Sequence, residues 1–141
     1  MSEMTARVKW VEQRTFLGES GTGHTVVMDG APDSGGRDLG VRPMEMLLLG
    51  LGGCTAFDVI DILQKGREPV ADLWVELSGE RAETVPKVYT KIRMRYVVIG
   101  KGLNHDKVER AVKLSAEKYC SATIMLGATA EITHEIDIRE P

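Results

Sequence analysis

The chain has 141 residues, 43% of them hydrophobic and 28% charged, with a formal net charge of −3. That length suits one domain with a core that stands without disulfide staples, and the charge excludes the basic footprint of a nucleic-acid binder. The first ten residues, "MSEMTARVKW", are too polar for a signal peptide, and the longest unbroken apolar run, Met46 to Cys54, is too short to span a bilayer. A cytoplasmic protein is expected, in which the two cysteines are reduced, buried or catalytic rather than a structural bridge.

The N-terminal third reads as strands. Met4, Ala6, Val8 and Trp10 alternate with Thr5, Arg7 and Lys9, a period of two. "RTFLGE" and "HTVVMD" follow, separated by the turn-rich "SGTG", which predicts an antiparallel meander. Gly30 to Gly40, "GAPDSGGRDLG", reads as a loop and as the most mobile stretch. Pro43 suits the first turn of a helix running to about Lys65, with Gly66 at its C-terminal end.

Two further strands follow. Ala71, Leu73, Val75 and Leu77 alternate with polar neighbours; Val88, Ile92, Met94 and Tyr96 face one way and Lys87, Lys91, Arg93 and Arg95 the other. That polar face is either solvated or a basic patch for an anionic partner. Asn104 can cap a second helix whose Val108, Ala111, Val112, Ser115 and Tyr119 recur at helical spacing. A last strand turns Ile132, Ile136 and Ile138 inward, and His134, in phase with them, reads as a hydrogen-bonded core or interface histidine. Strands, helix, strands, helix, strand: the order predicts one α+β domain over residues 1–141 with antiparallel sheet, not a βαβ series.

Several motifs fail. "GLGG" at Gly50 to Gly53 lacks the Lys-Ser/Thr ending of a phosphate loop and lies inside an apolar helix. The three histidines share no ligand spacing with the cysteines, so no metal site is expected.

The first helix is apolar on all sides before Cys54, which predicts burial all round. Gly50, Gly52 and Gly53 each weaken it by roughly 0.5–1 kcal/mol relative to alanine. Close approach of another backbone would compensate, from the second helix, a partner subunit or both; a homodimer sharing this helix is expected. At about 100° per residue, Asp58, Asp61 and Lys65 align with Cys54. The cysteine therefore sits where a buried stripe turns polar, as an inert filler or as a thiol facing a small pocket. The two aspartates oppose ionisation of a thiol, so a reactive thiolate needs a cation from outside the helix: Arg14, Arg37 or Arg42. Cys120 ends the second helix; the two cysteines form an attacking and resolving pair if the helices pack antiparallel, and are otherwise unrelated core residues.

"RPMEMLLLGLGGCTAFDVIDIL" together with "AVKLSAEKYCSAT" resembles the OsmC/Ohr superfamily and, within it, the YhfA-like branch; "GHTVVMDG" and the order of elements extend the likeness over nearly the whole chain. The resemblance implies an intertwined α+β homodimer with two central helices buried between sheets. It implies a thiol peroxidase of oxidative or osmotic stress defence that reduces organic hydroperoxides, with Cys54 peroxidatic and Cys120 resolving. It implies a dithiol reductant, such as a dihydrolipoyl group, and no metal or organic cofactor. The family also holds its thiolate with an arginine and a glutamate. Arg14 is the positional match for the first. The family's glutamate directly follows the helix-starting proline; here the run is Pro43-Met44-Glu45, and Glu45 is its counterpart. Apolar side chains such as Met46, Leu49 and Phe57 would favour alkyl hydroperoxides. The other reading is a dimeric stress protein that binds a small apolar ligand without turnover.

Overall fold

A computed structural model describes residues 3–141. Met1 and Ser2, the start of the segment read as too polar for a signal peptide, lie outside the described residues. The chain divides into two compact units, Met1–Leu47 and Leu48–Pro141.

The N-terminal unit is the expected meander. Strands β1 (Ala6–Glu12), β2 (Thr15–Ser20) and β3 (Thr25–Met28) pair antiparallel in that order. All seven residues of β1 are exposed in the single chain. The 30–40 loop is more organised than its four glycines and one proline suggest. Pro32–Ser34 forms a 3₁₀ turn, and the whole loop is gathered around Asp29, which is 2% exposed. One carboxylate oxygen accepts the N–H groups of Gly30 (2.7 Å) and Arg37 (3.2 Å); the other accepts the Thr15 hydroxyl (2.7 Å) and the Leu39 N–H (3.3 Å). Burial alone pushes this carboxyl up, but the Thr15 hydroxyl and the three N–H groups together hold it down at about 2.

Helix α1 spans Pro43–Lys65, as the proline and glycine punctuation indicates. Its first turn is closed by Glu45, which reaches back to accept the Arg42 N–H at 2.8 Å, one half of a capping box. At 23 residues the helix is long and apolar enough, by length and composition alone, to cross a bilayer; the core helix of a soluble protein meets the same test.

In the C-terminal unit, β4 (Val70–Arg81), β5 (Tyr89–Gly100) and β6 (Glu131–Arg139) form a second sheet with β5 in the middle. β4 and β5 pair antiparallel, but β6 runs parallel to β5, so this sheet is mixed. The reason is the connection: α2 (His105–Leu114) and α3 (Ser121–Leu126) carry the chain back to the starting edge, as a crossover does. β5 buries one face along its length, with Ile92, Met94, Tyr96, Val97 and Val98 at its core. The two arginines of the opposite face are neutralised by neighbouring strands: Arg93 pairs with Glu80 at 3.1 Å, and Arg95 pairs with Glu76, Glu135 and Asp137. The solvated reading of that face fits this ladder better than an anion-binding patch.

α1 buries one face of its C-terminal portion, through Leu51, Gly52, Thr55, Val59 and Leu63. The glycines divide accordingly. A Cβ on Gly52 would lie 2.8 Å from Leu77 Cδ1 of β4, so this glycine admits a sheet rather than another helix. Cβ atoms on Gly50 and Gly53 would meet nothing within 4 Å. They belong to an open apolar stripe with Leu49 and Phe57, which are 57% and 72% exposed. Burial all round is therefore not achieved within the single chain.

Candidate functional site

The site begins with helix periodicity. Cys54 and Asp58 stand one turn apart on α1 and face the same way. Thr55, beside Cys54, points into the core.

The second contribution comes from a break in the other helix. α2 is capped as expected, Asn104 Oδ1 accepting the Lys107 N–H at 3.2 Å. Its buried stripe runs through Val108, Ala111, Val112 and Ser115. The backbone then widens into a π-helical turn over Ser115–Tyr119 and stops at Cys120, whose extended conformation (φ −77°, ψ 99°) starts α3. This turn shifts the register, so Tyr119, expected on the buried stripe, is half exposed instead. Cys120 is held from both sides: its N–H donates to the Ser115 carbonyl at 2.8 Å, and its Sγ accepts the Thr123 N–H at 3.4 Å.

These elements bring the two thiols together. Cys54 Sγ, Cys120 Sγ and a carboxylate oxygen of Asp58 all lie within 4.8 Å of one another, with Cys120 buried and the other two partly exposed. Both cysteines are free thiols. Burial pushes the Cys120 thiol above its ordinary value, the Thr123 contacts work against this, and the neighbouring Cys54 adds to the rise.

Behind the thiols runs a chain of hydroxyls. Ser115 Oγ donates to Asp58 Oδ2 at 3.1 Å, Thr55 Oγ1 lies 2.8 Å from Ser115 Oγ, and Tyr96 Oη lies 2.8 Å from Thr55 Oγ1. Each hydroxyl has one proton. Because Ser115 spends its own on Asp58, Thr55 donates to Ser115 and Tyr96 to Thr55. Desolvation, working against the Thr55 hydrogen bond, raises the Tyr96 phenol to about 12. His134 stacks on Tyr96 with ring centroids 5.8 Å apart. Contrary to the hydrogen-bonded histidine expected, its Nε2 is buried without a partner among the described residues, and burial lowers its pKa.

A cleft of about 330 Å³ opens beside Asp58, lined also by Asp61, Ile62, Lys65 and Tyr119. Lys65 pairs with Asp61 at 3.0 Å, so the second aspartate of the stripe is neutralised by its own helix. A larger groove of about 490 Å³ lies where Gly53, Phe57 and Ile60 face Val70 and Leu73.

The three candidate arginines and Glu45 belong to the N-terminal unit. Arg37 is engaged by Glu12 at 3.0 Å and by Thr15, and Arg42 by Asp38 at 2.8 Å. Arg14 donates to the Gln13 carbonyl at 3.2 Å and, of these three arginines, is the one without a carboxylate partner among the described residues. Met46 lines a cleft of the same unit with Val8, Val26 and Met28.

The pattern of the family described as OsmC-like protein matches residues 35–135, which contain both cysteine segments. The chain belongs to that family. This OsmC-like protein is 51% identical to Protein YhfA of Escherichia coli K12 over 135 residues, covering 96% of the chain and 98% of YhfA. Among solved structures, a hypothetical protein from Aquifex aeolicus VF5 superposes with a TM-score of 0.88 at 33% identity, covering 100% of this chain and 99% of that one. An OsmC-like protein of unknown function from Vibrio cholerae superposes at 0.81 with 20% identity, covering 96% and 99%. The OsmC-like fold is thereby established. Proteins described as organic hydroperoxide resistance proteins share it at 14% identity or less, a likeness of fold alone.

Asp58, Ser115, Thr55 and Tyr96 are the site residues that sequence reasoning did not assemble. Asp58 was visible as a carboxylate in phase with Cys54, but its bond to Ser115 was not. The available signal was a polar residue on each helix's buried stripe, Thr55 on α1 and Ser115 on α2.

Proposed function

We propose that this OsmC-like protein is a thiol-dependent peroxidase that reduces organic hydroperoxides, with Cys54 peroxidatic and Cys120 resolving. The observation that carries this reading is the approach of the two sulfurs within 4.8 Å, one partly exposed and one buried behind it. The Cys54 thiolate attacks the O–O bond; the distal oxygen becomes Cys54 sulfenic acid and the alkoxide leaves as the alcohol after taking a proton. Cys120 then attacks the sulfenic sulfur, releasing water and forming the disulfide, which a dithiol such as a lipoyl group reduces.

The family resemblance supports Arg14 as the cation for the thiolate, and unlike Arg37 and Arg42 it has no carboxylate partner among the described residues. Glu45 closes the first turn of α1, and its part in the site is to fix that helix start. The reaction class rests on the OsmC-like family and on the paired thiols, since the likeness to proteins described as organic hydroperoxide resistance proteins is one of fold. The open stripe of Leu49, Gly50, Gly53 and Phe57 supports a homodimer that covers it, in a cytoplasmic protein.

Stopped-flow consumption of cumene hydroperoxide tests the reading. Wild type turns over with a dithiol, Cys120→Ser completes one turnover and accumulates a sulfenic acid trapped by dimedone, and Cys54→Ser is inert. Equal slow rates in all three overturn it. The groove beside Phe57 favours a second reading, a dimeric protein binding a small apolar ligand without turnover; two thiols unreactive to peroxide would select it.

A further inference from the structure

We infer that Cys54, Asp58 and Cys120 form a reversible zinc(II) site. The donor set is the first argument. Two sulfurs and a carboxylate oxygen converge within 4.8 Å, and thiolate with carboxylate is a set that zinc accepts. Tetrahedral zinc at about 2.3 Å from each sulfur needs sulfurs about 3.8 Å apart. The observed arrangement reaches that by a contraction of no more than about 1 Å, within the range of small side-chain rotations.

The second argument is independent of the donors. A ligating carboxylate is ordinarily oriented by hydrogen bonds from outside the coordination sphere. Asp58 already has such support, since Ser115 donates to Oδ2, with Thr55 and Tyr96 lined up behind it. The chain of hydroxyls runs one way, toward Asp58, and leaves the other carboxylate oxygen for a ligand. Two donors come from one turn of α1, and the third from the helix break across from it, so three points from two elements fix the position.

Binding exchanges two thiol protons for one zinc ion: both sulfurs become thiolates bonded to the metal, and two protons go to solvent. Cys54 and Asp58 are partly exposed, which leaves the fourth position to water. Disulfide and zinc need the same sulfurs and exclude each other. In the peroxidase reading bound zinc is therefore an inhibitor that guards both thiols, but the site itself stands without that reading.

The test uses no peroxide, so its outcome is separate from that of the proposed activity. Reduced protein is dialysed in oxygen-free buffer against micromolar zinc, and metal per chain is measured by atomic absorption. Wild type should hold one zinc. Cys54→Ser and Cys120→Ser should each weaken binding at least 100-fold, and Asp58→Asn and Ser115→Ala about 10-fold or more. Asp61→Asn, outside the donor set, should bind as wild type does. Cobalt(II) in place of zinc should give thiolate-to-metal charge-transfer absorption that disappears in either cysteine variant. A measurement on wild type alone covers variants that fail to fold: zinc should protect both cysteines from iodoacetamide, residue by residue in mass spectrometry, and EDTA should restore alkylation. No zinc on the reduced wild type, equal binding by Asp58→Asn, retention by the disulfide form, or alkylation unaffected by zinc would each overturn the site.

Discussion

The Ser115 hydroxyl donates to the Asp58 carboxylate at 3.1 Å, joining two helices across 57 positions of sequence. Through that bond a polar residue on each buried stripe becomes part of one network, and the network ends beside both thiols. Buried polar networks stabilise when every member is satisfied and cost heavily when one is removed.

Thr55 is the middle member, accepting from Tyr96 and donating to Ser115. Thr55→Val conserves shape but leaves two buried hydroxyls short of a partner, so it should destabilise the protein by about 1–3 kcal/mol. Urea denaturation should show a lower midpoint with an unchanged slope.

Tyr96 gives an alkaline signature. Its folded-state pKa, about 12, lies above the ordinary value of 10.0, so the neutral phenol is favoured by folding. That contribution is complete below pH 10 and is lost as pH rises toward about 12. It amounts to something on the order of 2 kcal/mol. Chemical denaturation across that window should lose stability in wild type, and Tyr96→Phe should lack this component.

Asp29 gives the acid counterpart. Its folded-state pKa of about 2 lies below the ordinary 3.8, so its stabilisation is present above pH 4 and is lost as pH falls toward 2. Asp29→Asn should lower the thermal midpoint at pH 7 and loosen the 30–40 loop, seen as faster amide exchange at Gly30, Arg37 and Leu39. The gap between variant and wild type should narrow through that acid window.

The glycines of α1 separate by what lies above them. Gly52→Ala sets a methyl 2.8 Å from Leu77 Cδ1, the end of a partly exposed side chain that can turn aside, so the cost of moving Leu77 should cancel most of a propensity gain of up to about 1 kcal/mol. Gly53→Ala meets open space and should stabilise the isolated chain by about 0.5–1 kcal/mol. In a dimer that buries this stripe the same methyl should weaken self-association, which sedimentation velocity over a dilution series reads directly.

Hydrophobic period and turn chemistry made most elements legible. The alternation of Ile92, Met94 and Tyr96 specified β5, Pro43 and Gly66 bounded α1, and Asn104 marked the start of α2, because each signal is local. The direction of β6 was not legible. Alternation specifies which residues face inward but not whether the neighbouring strand runs with or against it, and the crossover through α2 and α3 decided that. The π-helical turn was equally hidden, since Ser115 to Tyr119 continue a helical pattern and only the packed chain shows the shift that exposes Tyr119.

By itself the sequence determined the α+β class, the family, both cysteines and the helix faces that carry them. These rest on local periodicity and on two long motifs. Tertiary structure alone decided that the cysteines meet, that Asp58 joins them, and that Arg37 and Arg42 are occupied while Arg14 has no carboxylate partner among the described residues. Those facts depend on distances between residues as far apart as Cys54 and Cys120. One helix fixes the angles of its own side chains, and only packing against a second element fixes what those side chains reach.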